Sequence, residues 1–93
     1  MEMNCDWDRE KARANYLKHG VSFLEAASVF NDPLSLVKED VLHSEGEYRS
    51  IIIGYSDKQQ LLVVFFTERG EDIRIISARL PTSNERRNYE QGE

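Results

Sequence analysis

Arg69, Arg74 and Arg79 fall in the stretch FTERGEDIRIISAR (residues 66–79), and Arg86 and Arg87 follow soon after it. The chain as a whole carries 12 Lys and Arg against 17 Asp and Glu, so this concentration of guanidinium groups is a local feature. Arginine holds phosphate oxygens through a planar, permanently charged fork. A cluster of forks therefore suits a phosphodiester whose charge grows as it is cleaved. Breaking RNA without a metal needs a base for the 2′-hydroxyl, cations for the phosphorane and an acid for the departing 5′-oxygen. Arg49, Arg69, Arg74, Arg79, Arg86, Lys11 and Lys18 are available as cations. His19 carries an imidazole, the side chain that most often serves as base or acid.

Other chemistries find less support. His19 and His43 are 24 residues apart, and no His or Cys pair has a metal-ligand spacing. A single cysteine, Cys5, excludes an internal disulfide and a Cys-rich zinc site and reads as a bystander. Neither a Gly-rich phosphate loop nor a nucleophile elbow occurs, so no metal and no cofactor is expected. Each cationic candidate also has a plain structural role. The strand arginines have Glu68, Glu71 and Asp72 as neighbours for surface ion pairs, which contribute little. His19 before Gly20 suits the negative end of a helix dipole, the row Lys11–Asn15–Lys18 suits a solvated helix face, and Trp7 and Tyr89 suit packing.

The scaffold that must position these groups is small. Ninety-three residues, 40% apolar and 31% charged, fit one globular domain with a single core. LLVVFF (61–66) is too short to span a bilayer, and the N-terminus has no signal-peptide hydrophobic region, so a soluble cytoplasmic domain is expected. Acids dominate between Leu24 and Arg49, whereas Asp6–Gly20 and Thr67–Tyr89 are mildly basic. A net charge of −5 argues against strong non-specific nucleic-acid binding but leaves room for a local anion site and for a basic partner on the acidic middle.

CDW reads as a short opening strand. DREKARANYLKH predicts a helix capped by Asp6 or Asp8 and ended by Gly20, with a thin apolar stripe of Ala12, Tyr16 and Leu17. SFLEAASVF predicts a second helix, with Ser22 and Glu25 spaced as a capping box and Phe23, Ala26, Ala27 and Phe30 buried; NDP stops it. LSLVKED reads as a strand and LHSEGE as a polar loop. YRSIIIGY, QLLVVFFTE and DIRIISARL read as an antiparallel meander turning near Asp57–Lys58 and Gly70. PTSNERRNYEQ predicts a last helix with a capping box of Thr82 and Glu85. The order (β)ααββββα makes an α+β fold: a small antiparallel sheet with two N-terminal helices and one C-terminal helix. Strict alternation puts Ile73, Ile75, Ser77 and Arg79 on one face of their strand and Arg74, Ile76 and Ala78 on the other. Without a bulge, Arg74 and Arg79 therefore face apart, as do Thr67 and Glu68.

WDREKARANYLKHGVSFLEAASVF, an arginine before a hydrophobic strand, TERGEDIRIISAR and ERRNYE, in this order from Trp7 to about Tyr89, resemble the BrnT family of type II toxin–antitoxin toxins. The resemblance implies one RelE-like ribonuclease domain over residues 1–93, metal-independent RNA cleavage and arrest of translation. It also implies a BrnA-type antitoxin that inhibits the toxin and brings operator DNA to the complex, with a dimer or a heterotetramer as the assembly. Carried onto this chain, the matching positions are Lys18, His19, Arg49, Thr67, Glu68, Arg69, Arg74, Arg79 and Arg86. Arg69 and Arg79 would stabilise the phosphate, and Glu68 or His19 would be the base, with a lysine or arginine as acid. Lys18, Arg49, Thr67, Arg74 and Arg86 would bind RNA. The alternative is a non-catalytic module that acts only through its protein partner, with its arginines paired on the surface.

Overall fold

The computed structural model describes residues 4–40 and 48–92. The loop expected over residues 42–47, and with it His43, lies outside them. Strand β1 (Asn4–Trp7) is followed by helix α1 (Arg9–His19) and by α2 (Phe23–Ser28), which runs on into a single 3₁₀ turn at Val29–Asn31. Strands β2 (Leu36–Glu39), β3 (Ser50–Tyr55), β4 (Leu61–Arg69) and β5 (Asp72–Arg79) come next, and α3 (Ser83–Gln91) follows. The order is the one that the patterning predicts, in an α+β arrangement. Among the described residues, no helix is long and apolar enough to cross a membrane.

The helix ends follow from their caps. Asp8 accepts the Lys11 N–H at 2.9 Å to start α1, and Gly20 ends it at φ +71°, a conformation cheap only for glycine. Ser22 accepts the Glu25 N–H at 3.0 Å. The reciprocal half of that expected capping box is replaced, because the buried Glu25 carboxylate takes the Ser56 hydroxyl at 2.7 Å instead. At α3 both halves form: the Thr82 N–H donates to Glu85 Oε1 at 2.8 Å and the Glu85 N–H to Thr82 Oγ1 at 3.2 Å.

The sheet order is β1-β5-β4-β3-β2. Strands β2 to β5 pair antiparallel as expected, but β1 runs parallel to β5. No hairpin joins β1 to β5, so turn geometry does not dictate their relative direction. Central β4 is apolar on both sides. Leu62, Val64 and Phe66 meet Val21, Phe23, Ala26 and Val29 from the helical layer, together with Ile52, Ile73, Ile75 and Ala78. On the other side Leu61 and Val63 join Ile53, with Ile51, Phe65 and Tyr89 packed around them. Burying one such side chain stabilises by about 1.5–3 kcal/mol, so the larger cluster supplies most of the hydrophobic stabilisation.

Helix α1 docks differently from its apolar pattern. Tyr16 and Leu17 are 58% and 78% exposed, whereas Asn15 is buried. Its Nδ2 donates to the carbonyls of Ala78 (2.8 Å) and Val21 (3.1 Å), and its Oδ1 accepts the Ala78 N–H at 3.1 Å. Strand β1 accompanies β5 only as far as Ile75. One asparagine amide beyond that point supplies the donor and acceptor that a neighbouring strand would have offered.

The β4–β5 register contains a bulge. Phe66 faces Ile75 but Phe65 faces Ser77, so Ile76 has no partner across the ladder. Ile73, Ile75 and Ala78 consequently all pack on the helix side. Arg74, opposite Thr67, and Arg79, opposite Val63, share the other side.

Candidate active site on the arginine face of the sheet

The face turned away from α1 and α2 gathers most of the candidate cations. Arg74 and Arg79 reach it through the bulge. Arg49 reaches it because the Asp40 N–H donates to its carbonyl at 2.9 Å, which extends the β2–β3 ladder by one pair. Alternation then places Arg49 with Ile51 and Ile53. Thr67 and Arg69 share this side with Phe65 by the same rule. Thr67 is buried.

Arg79 is fixed from several directions. Its Nη1 and Nη2 donate to Glu85 Oε1 and Oε2 at 2.7 and 3.0 Å, and Nη1 also donates to the Leu80 carbonyl at 3.1 Å. Its Cζ lies 5.4 Å from the centroid of the Phe65 ring, a cation–π distance. The bond to Glu85 raises the affinity of Arg79 for its proton, against an opposing effect of partial burial. Reciprocally, the bond from Arg79 outweighs burial and holds Glu85 below the usual carboxylate range. Both groups stay charged at neutral pH. Arg74 is held more loosely, through Nη1 to Asp6 Oδ1 at 3.2 Å, with side chains 32% and 60% exposed. These partners come from β1 and α3 and not from the neighbouring Glu68, Glu71 or Asp72.

Helix α3 carries Glu85 to the site and is clamped at its far end. The Tyr89 hydroxyl donates to Asp32 Oδ2 at 2.7 Å, the same oxygen accepts the Tyr55 N–H at 2.7 Å, and Oδ1 accepts the Leu34 N–H at 2.9 Å. Gly54 makes the approach possible, since a Cβ there would come within 3.0 Å of Asp32 Oδ2. The rings of Tyr55 and Tyr89 meet edge to face at 5.5 Å. Partial burial opposes ionisation of Asp32, but these three hydrogen bonds prevail and lower its pKa. Burial, then the bond to Asp32, push the Tyr89 phenol up to about 12.

The other candidates lie elsewhere. Glu68 is opposite Ile73 on the helix side of the sheet, so Thr67 and Glu68 face apart. Lys18 and His19 form the last turn of α1, which packs against β5; Lys18 is exposed and His19 half-buried. Arg86 is exposed on the first turns of α3, next to Glu85. Sequence reasoning missed Glu85, Asp6 and Phe65 as supports of the arginines. Glu85 and Asp6 were legible only as caps, and Phe65 only as core. Among the described residues, no three His, Cys, Asp or Glu side chains converge to hold a metal ion.

A family model described as the ribonuclease toxin BrnT of type II toxin–antitoxin systems matches residues 7–85. The fold is similar to the crystal structure of the Brucella abortus ribonuclease toxin BrnT, with a TM-score of 0.66 and 22% identity over 88% of this chain and 100% of that one. No curated protein matches the chain.

Proposed function

Since this chain belongs to the BrnT family of ribonuclease toxins of type II toxin–antitoxin systems, we propose that its arginine face cleaves RNA without a metal ion. Cleavage in the cytoplasm arrests translation, and a BrnA-type antitoxin neutralises the toxin. One observation carries the reading: the bulge at Ile76 turns Arg74 and Arg79 to the same side as Thr67. Guanidinium groups on one side of a rigid sheet suit a phosphodiester that gains charge in its transition state.

In this reading Arg79 and Arg69 stabilise the phosphorane, while Arg49, Thr67 and Arg74 hold the flanking backbone. His19 or Glu68 is the base. His19 lies one helical turn beyond Asn15, which sits against the open edge of β5, and Glu68 lies on the helix side of the sheet, opposite Ile73. Lys18 and Arg86 extend the cationic track, and either supplies the acid. A basic antitoxin docks on the acidic stretch between Leu24 and Arg49, where Glu39 is exposed while Glu25 and Asp40 are buried, and operator DNA is reached only through that complex.

RNA incubated with the purified protein in excess EDTA should be cut at an undiminished rate, and Arg79→Ala should cut it about 10²-fold more slowly. Loss of cleavage in EDTA would remove metal independence; full activity of Arg79→Ala would remove the arginine face. A second reading, a non-catalytic partner-binding module, draws support from the ion pairs that Arg74 and Arg79 make with Asp6 and Glu85. It predicts that the abundant, soluble protein neither cuts RNA nor slows protein synthesis after induction.

A further inference from the structure

We propose that Glu85 is a positioning residue for RNA cleavage, holding Arg79 by one edge of its guanidinium so that the other edge meets the phosphate. The inference rests on the arginine-face reading above. A guanidinium has five N–H donors. Glu85 takes one from each terminal nitrogen, at 2.7 and 3.0 Å, and the Leu80 carbonyl takes the second from Nη1 at 3.1 Å. That leaves the Nε–H and the remaining Nη2–H, which lie side by side on one edge. Neither donates to another described residue in the observed bonds. Two adjacent N–H groups are what a bidentate phosphate contact requires.

Glu85 is itself immobilised. Its Oε1 accepts the backbone Thr82 N–H at 2.8 Å, a bond that does not depend on the Thr82 side chain. The guanidinium carbon lies over the Phe65 ring, 5.4 Å from its centroid. A long, rotatable side chain on a strand is thus set in one direction before substrate arrives. The negative charge of Glu85 weakens the attraction for RNA as a whole, so its benefit is expected in the chemical step and not in binding.

The experiment is steady-state cleavage of an RNA oligonucleotide by the full chain and by Glu85→Gln, Glu85→Asp, Thr82→Ala and Arg79→Ala. Gln keeps the reach of Glu and the bond to the Thr82 N–H but offers one acceptor to the fork; Asp keeps the charge but is too short for both bonds. Both should lower kcat by about tenfold, with little change in KM or melting temperature, because mispositioning acts on the reacting geometry. Thr82→Ala breaks half of the helix cap, spares the fork and should leave kcat unchanged. A rise in kcat for Glu85→Gln would show that Glu85 obstructs Arg79, and an unchanged kcat that it does nothing; either overturns the proposal. So would an equal loss in Thr82→Ala, which would trace the effect to the helix start. If Arg79→Ala is inactive while both Glu85 variants are normal, only the positioning role fails. If Arg79→Ala is fully active, the arginine-face reading fails with it.

Discussion

On the side of the sheet covered by α1 and α2, a continuous buried cluster runs from Val21 and Phe23 through Val64 to Ile75 and Ala78. On the side reached by α3, the buried set shrinks to Ile53, Leu61 and Val63, and arginines occupy the rest. Apolar burial is non-directional and grows with area. A charged fork is useful only if it points somewhere, and this side fixes its arginines through ion pairs, a cation–π contact and a capped helix. One face supplies the free energy of folding, and the other supplies direction. The division leaves the charged face free to change without unfolding the chain.

Phe23→Ala tests the first half of that contrast most severely. It should cost about 3–5 kcal/mol in urea denaturation, and a loss under about 1 kcal/mol would show that the helical side is not the dominant core. Arg79→Ala should do the reverse. Its slower cleavage corresponds to about 2.7 kcal/mol of barrier, whereas its loss of stability should stay below that of Phe23→Ala, because the Arg79 and Glu85 side chains are 29% and 25% exposed and water can reach the glutamate left behind. Comparable unfolding in the two variants would erase the distinction between the faces.

Asn15→Ala should fall between them, at about 1–3 kcal/mol, because the Ala78 N–H and carbonyl lose their buried partner. Hydrogen exchange at the Ala78 amide should accelerate more than at Val64 if the asparagine stands in for a strand. Uniform acceleration would mean a general loosening.

The smallest effect is a pH dependence confined to α3. Asp32 and Glu85 titrate lower folded than free. Their contribution is therefore present above the ordinary carboxylate pKa of about 4 and disappears as pH falls through their lowered values. Tyr89 is raised to about 12, so its contribution is complete below about pH 10 and disappears as pH rises from there through about 12. Exchange of the α3 amides should rise at both extremes while the amides of β4 stay protected. Tyr89→Phe should abolish the alkaline limb and weaken the acidic one, because Asp32 loses one of the three hydrogen bonds that lower its pKa.

Much of this was legible because local rules and the final fold agree. Asp8, Gly20, Thr82 and Glu85 mark helix ends wherever they occur, and the two-sided apolarity of LLVVFF places β4 in the middle. Three things were not legible, each decided by a contact across the chain. The partner of β1 lies far along the sequence, and four residues do not specify it. Asn15 reads as a solvated row until the open edge of β5 stands beside it. The bulge leaves no Gly or Pro in IRIISAR, and its one trace is that Arg74 and Arg79, an odd number apart, share a face. The same limit applies to the site. The arginines announce themselves, but Glu85 and Asp6 read as caps until the fold sets them against Arg79 and Arg74.

Ile76 is a spare residue in its strand. If it were deleted, Ile75, Ser77, Ala78 and Arg79 would follow one another in plain alternation, each still opposite its present partner on β4 and on its present side. The deletion would remove only the extra bend and twist that a bulge adds. A chain shortened by that one residue should keep its core, its fork donor and its charge while aiming Arg79 at a different angle. Its cleavage rate would isolate the worth of an angle, a quantity that exchanging one side chain for another leaves entangled with chemistry.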